Sequence, residues 1–185
     1  MVSASYECSR TFLHKDVLRQ VVQVLAASLF IGLCAQIKIP LFFTPVPLTG
    51  QTFAVILVAA LLGSRKGALA ALCYLAEGSM GMPVWAGGAA GLTHLLGPTG
   101  GYRFAYPLQA LLAGYFFKKL DGHFPKLFAA IFMTCCVQLA IGSLWLGLFV
   151  GMTHCFALGF LPFITIELFK TLILTSLYGN RRLRS

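Results

Sequence analysis

Charge is what this chain has least of. Its 185 residues hold 14 Lys and Arg and five Asp and Glu, 10% of the total, where a soluble domain carries about 25%. So few charges cannot cover a water-facing surface, which excludes an ordinary soluble globule. Apolar residues make up 58% and mean hydropathy is +0.85, which excludes disorder, since that needs low hydrophobicity and high charge. The length suits one domain. The class left is an integral membrane protein.

Other absences narrow the chemistry. There is no P-loop motif, no G-x-S-x-G and no H-E-x-x-H, and the Gly-rich stretch 78–101 does not follow G-x-G-x-x-G. The chain is therefore expected to be neither an ATPase nor a hydrolase nor a zinc protease, and to need no cofactor. The six cysteines form no C-x-x-C pair, and most lie inside apolar runs, where they read as small packing residues. The four histidines have no metal-ligand spacing. The net charge of +9 sits in short basic clusters between apolar runs. That is the pattern of topology signals rather than of a nucleic-acid surface.

What is present is a series of apolar segments. Residues 1–16 are polar and mixed, and no cleavage-site pattern follows a short apolar run there, so the first run is expected to be retained. Six spans are predicted within about 17–178: Val17 to Ile39, Leu48 to Gly63, Gly67 to Met80, Tyr102 to Phe117, and two from Lys126 onward to Tyr178. Pro40, Pro45, Pro47 and Gly50 separate the first two. Ser64-Arg65-Lys66 separates the second from the third. The 40 residues from Leu127 to Ile166 lack Asp, Glu, Lys and Arg. As one helix they would reach about 60 Å, twice a bilayer core of about 30 Å, so a turn is expected between Gly151 and Pro162. The second and third segments are short. Either they border a binding site or loop residues complete them.

With both termini cytoplasmic, eleven basic residues fall inside (Arg10, Lys15, Arg19, Arg65, Lys66, Lys118, Lys119, Lys126, Arg181, Arg182 and Arg184). Lys38 and Arg103 fall outside. This positive-inside bias places the loops near 40–50 and 81–101 on the outer face, and 179–185 as a basic cytoplasmic tail.

Few residues can carry chemistry. Glu167 and Lys170 lie within the last segment on one helical face, either as a self-neutralising pair or as polar groups lining a cavity; their cost in a bilayer favours the second. Arg103 can snorkel to headgroups or present a fork to a carboxylate, and the adjacent glycines favour the fork. Trp85 is a belt residue or an apolar wall for a flat ligand. Gln51 hydrogen-bonds a ligand or caps a helix. Glu77 ends the third segment. Ser28 and Gly32, with Ala35 near them, form a small-residue face that admits another helix, of this chain or of another protein.

Several strings in order carry a resemblance: Ala35-Gln36-Ile37-Lys38-Ile39-Pro40, Pro45-Val46-Pro47-Leu48-Thr49-Gly50-Gln51-Thr52, Tyr74-Leu75-Ala76-Glu77-Gly78, Gly81-Met82-Pro83-Val84-Trp85-Ala86-Gly87-Gly88 and Gly97-Pro98-Thr99-Gly100-Gly101-Tyr102. From about residue 20 to 178 the chain resembles the BioY family, the biotin-specific S components of energy-coupling-factor (ECF) vitamin transporters. The resemblance implies a six-helix S-component bundle in the cell membrane, with an outward-facing site for biotin as transported ligand. It also implies a transmembrane T component and ATPase subunits as partners, beside membrane lipid. The Ser28–Gly32 face would correspond to the surface offered to the T component. The family's Asp-x-x-Lys pair after a Pro-Phe appears here as Glu167-x-x-Lys170 after Pro162-Phe163, one methylene longer at the acid. Arg103 stands where an arginine can serve the ligand carboxylate, and Trp85 where phenylalanine is common. Gln51, Gly87, Gly88 and Tyr102 complete the contacts expected by resemblance. A carboxylate can accept from ureido N–H groups and an ammonium can donate to the ureido carbonyl. The alternatives are an S component for another small vitamin and a ligand-free membrane scaffold.

Overall fold

Backbone that leaves water must satisfy its own polar groups, and a helix does so within one segment. The computed structural model is helical along most of its length. It describes the backbone of residues 2–182 and the side chains of 16–179. Arg10, Lys15, Arg181, Arg182 and Arg184, and so most of both terminal flanks, lie outside the described side chains. The element order is α1 (Val2–Ala35), β1 (Lys38–Ile39), β2 (Leu48–Thr49), α2 (Gln51–Ser79), α3 (Leu92–Leu95), α4 (Gly100–Phe104), α5 (Tyr106–Lys119), α6 (Phe124–Val150), α7 (Cys155–Gly159) and α8 (Leu161–Arg182). Among the described residues, four helical stretches are long and apolar enough to cross a membrane: Asp16–Ala35, Gln51–Ser79, Phe124–Val150 and Cys155–Gly179.

The first span stops four residues earlier than the expected Ile39. Lys38 and Ile39 instead pair antiparallel with Thr49 and Leu48, so the proline-rich stretch 40–47 becomes the loop of a small β-hairpin. The uncharged run beyond Leu127 does contain a turn: Gly151 ends α6, and the short α7 fills the connection to α8.

The element α2 is not a rod. At Gly63 the backbone takes φ 80° and ψ 176°, a region essentially closed to residues with a Cβ. There the chain reverses. Gln51 Nε2 donates to the Tyr74 hydroxyl, although 23 residues would separate them by about 34 Å along a straight helix. Beyond the turn, a Cβ at Gly67 would lie 2.9 Å from Ala59 Cα. The limbs 51–62 and 64–79 thus form a helical hairpin with its turn beside Arg65 and Lys66. Lys66 Nζ ties that turn to α1 by donating to Gln23 Oε1 at 2.9 Å.

The larger core joins α1, both limbs of α2, α5, α6 and α8 through residues such as Ile31, Val55, Tyr74, Ala110, Phe117, Ile131 and Leu174. Of the two partners left open for the small-residue face of α1, a helix of this chain is the one seen in this packing. Ser28 is fully buried, with its hydroxyl 2.6 Å from Glu77 Oε1 on the second limb. A Cβ at Gly32 would meet Val84 at 3.1 Å. The exposed stripe of α1 is a different one, running through Leu18, Val22, Leu25, Leu29 and Leu33.

Candidate ligand-binding site

A second, smaller apolar cluster (Val46, Tyr102, Leu139, Leu146 and Phe163) joins the loop of the β-hairpin to α4, α6 and α8. Beside it opens a cavity of about 510 Å³, mouth included. Its walls come from 46–49 of the hairpin, the first turn of α2, α4 and α5, mid-α6 and α8.

Glu167 and Lys170 face it together. Lys170 Nζ lies 2.8 Å from Glu167 Oε1, and Glu167 is 3% exposed. The pair is not isolated within its helix. Thr52, in the first turn of α2, donates to Glu167 Oε1 at 2.7 Å. Lys170 Nζ also donates to Thr52 Oγ1 at 2.7 Å and to the Thr49 carbonyl at 3.0 Å. The three ammonium protons therefore have three acceptors, two of them in the segment that enters α2. Glu167 Oε2, by contrast, is buried without a protein partner. An unmatched buried acceptor costs about 1–3 kcal/mol. Such an oxygen in a cavity wall favours a ligand that brings an N–H or O–H.

Arg103 is 7% exposed and lines the same cavity. Its Nη1 donates to the His94 carbonyl at 2.7 Å, and its Cζ lies 4.7 Å from the centre of the Trp85 ring. Trp85 is fully buried and does not line the cavity. The expectation of a Trp85 wall against the ligand is corrected: the indole lies beneath the guanidinium and holds it by a cation–π contact. Gly78 makes room for it, since a Cβ there would fall 2.0 Å from Trp85 Nε1. The apolar wall is instead formed by Val46, Pro47, Leu48, Leu139 and Phe163.

Gly87 and Gly88 do not line the cavity either. They turn the chain after Trp85, and the Gly88 N–H donates to Gln36 Oε1 at 3.0 Å; Ala86 is the residue of this loop on the cavity wall. Gln51 and Tyr102 do line it. Gln51 Oε1 accepts from Thr49 Oγ1 at 3.0 Å and from the Tyr106 hydroxyl at 3.2 Å, so its carbonyl is already occupied. The Tyr102 hydroxyl donates to the Gly159 carbonyl at 2.7 Å, leaving its ring for the wall.

Five polar lining residues were not among the expected ones: Thr49, Thr52, Thr99, Tyr106 and Gln138. Gln138 is buried. Its Nε2 donates to the Tyr102 carbonyl at 3.4 Å, and its Oε1 has no protein partner. The signal that could have found it is a polar residue in a charge-free run, one turn after Thr134. Among the described residues no three His, Cys, Asp or Glu side chains converge in a way that could hold a metal ion.

The chain matches the BioY family model over residues 6–184. It is 39% identical over 165 residues to a probable biotin transporter BioY of Pyrococcus horikoshii, covering 85% of this chain and 97% of the relative. It is 34% identical over 157 residues to the biotin transporter BioY of Thermotoga maritima, covering 84% and 91%. Its fold matches the crystal structure of the S-component for biotin from an ECF-type ABC transporter, with TM-score 0.81, 24% identity, and 92% and 94% of the two chains covered.

Proposed function

The chain belongs to the BioY family, and on that premise we propose that it binds biotin in the cavity as the substrate-binding subunit of a membrane uptake system. The observation that carries the reading is the buried, unpartnered Glu167 Oε2 beside a fully engaged lysine. Biotin's ureido ring offers two N–H donors and one carbonyl. One N–H goes to Glu167 Oε2. The ureido carbonyl reaches Lys170 by taking the place of the Thr49 carbonyl, the longest of the ammonium's three bonds. The thioether ring packs on Leu139, Phe163 and Val46, and Arg103 receives the valerate carboxylate. Trp85 acts behind these contacts, the Tyr102 ring forms part of the wall, and Gly87 and Gly88 shape the loop that carries Ala86.

The two limbs of α2 and the continuous α4–α5 region, counted with α1, α6 and α8, support six crossings. The basic clusters support cytoplasmic termini and a cavity opening outward in the plasma membrane. A T component and ATPases of an ECF module are the partners this reading implies. What favours a ligand over a bare scaffold is that Glu167 and Gln138 leave their open acceptors in side chains that line one cavity with Lys170 and Arg103.

Ligand competition on the purified protein in detergent tests the reading. Desthiobiotin, which keeps the ureido group, should compete with biotin. Lipoate, which keeps the carboxylate chain and lacks the ureido group, should not. Equal competition by lipoate would contradict ureido recognition.

A further inference from the structure

The loop of the β-hairpin divides its side chains sharply. Leu41, Thr44 and Val46 turn inward. Val46 belongs to the cavity-side apolar cluster, Leu41 packs on it, and Thr44 Oγ1 donates to the Leu158 carbonyl at 2.8 Å. Phe42 and Phe43 turn outward, at 106% and 59% exposure. Phe42 is thus as open as a side chain can be. Single exposed apolar residues need no explanation, but two adjacent phenyl groups at the tip of a tethered loop do.

The height of that tip can be estimated from α6. Lys126, near its start, marks one polar boundary, and Val150, at its end, lies about 36 Å further along the axis. A hydrocarbon core is about 30 Å thick. The connection after Val150 therefore sits at the headgroup level of the opposite leaflet. Thr44 is bonded to Leu158 in that connection, so Phe42 and Phe43 sit at the same level. The rim there is apolar as well: Phe149, Met152, Phe156 and Leu161 are exposed around it. Lys38, the one charged residue of the hairpin, is at its base, with its stem against Gly87.

We propose that Phe42 and Phe43 bed into the headgroup–acyl boundary of the leaflet on the cavity side, anchoring the hairpin that walls the cavity to the bilayer. The occupant is lipid, because the phenyl pair continues the exposed apolar rim of the spans at the depth where aromatic rings are favoured. The inference does not depend on which ligand the cavity takes.

Phe42→Trp in phosphatidylcholine nanodiscs tests it, with and without bromine on the acyl chains. Trp85 and Trp145 are present in the parent, so the added emission is read as the difference between variant and parent. The expected result is loss of most of the added emission in brominated nanodiscs and none on adding iodide. Quenching by iodide without quenching by bromolipid places the tip in water and overturns the proposal. Quenching by neither places it under protein, such as a second copy, and overturns it equally. Phe43→Trp gives the same reading at a second position.

Discussion

Gln138 carries no charge and sits among apolar neighbours, yet its side chain is one of two in the cavity with an acceptor left open. The Tyr102 carbonyl takes its N–H and so orients the oxygen. Gln138→Leu keeps the approximate volume and removes the acceptor. The ligand-free protein should be as stable or slightly more so, since a buried unpaired group has been deleted, while biotin binds roughly 10-fold or more weakly. Thermal unfolding and equilibrium binding on the same preparation check both halves. A loss of stability matched by a loss of binding would make Gln138 structural. The Glu167–Lys170 pair was legible because two charges three apart in an apolar segment share one face. Thr52 was not, because its place beside them depends on the fold of α2. Trp85 was misjudged for a related reason: whether an indole walls a cavity or backs an arginine is decided by Gly78 across the loop.

At the scale of elements, most apolar runs were legible from length and from their basic or Pro/Gly boundaries. The β-hairpin was not, since two-residue strands are too short to show alternation. Nor were α3, α4 and α7, each a turn or so long. The break between the second and third segments was visible as Ser64-Arg65-Lys66; the conformation that makes the reversal belongs to Gly63. No heavy atom lies within 4 Å of a Cβ built there, so a substitution strains only the backbone. Gly63→Ala and Gly63→Ser should therefore each cost about 1–3 kcal/mol, to a similar extent. Unfolding midpoints in detergent would show this, and a loss that grows with side-chain size would point to crowding instead.

For the whole molecule, class and orientation rest on composition. The proposed orientation puts eleven of the 14 basic residues on one side, and that asymmetry predicts cytoplasmic termini. A fluorescent reporter fused to either terminus should be active in the cytoplasm, and a periplasmic phosphatase fused there should be inactive. The reverse result at one terminus would make the number of crossings odd. Partners were less legible. The small face of α1 packs inside the chain, and the stripe of α1 left exposed runs through Leu18, Val22, Leu25, Leu29 and Leu33. The central claim is that Glu167 Oε2 awaits a ureido N–H, and biotin titration of purified wild type and Glu167→Gln tests it most directly. Saturable binding by wild type, with affinity reduced about 10-fold or more in the folded variant, is the predicted result. Equal affinity in both proteins, or no saturable binding by folded wild type, would contradict it.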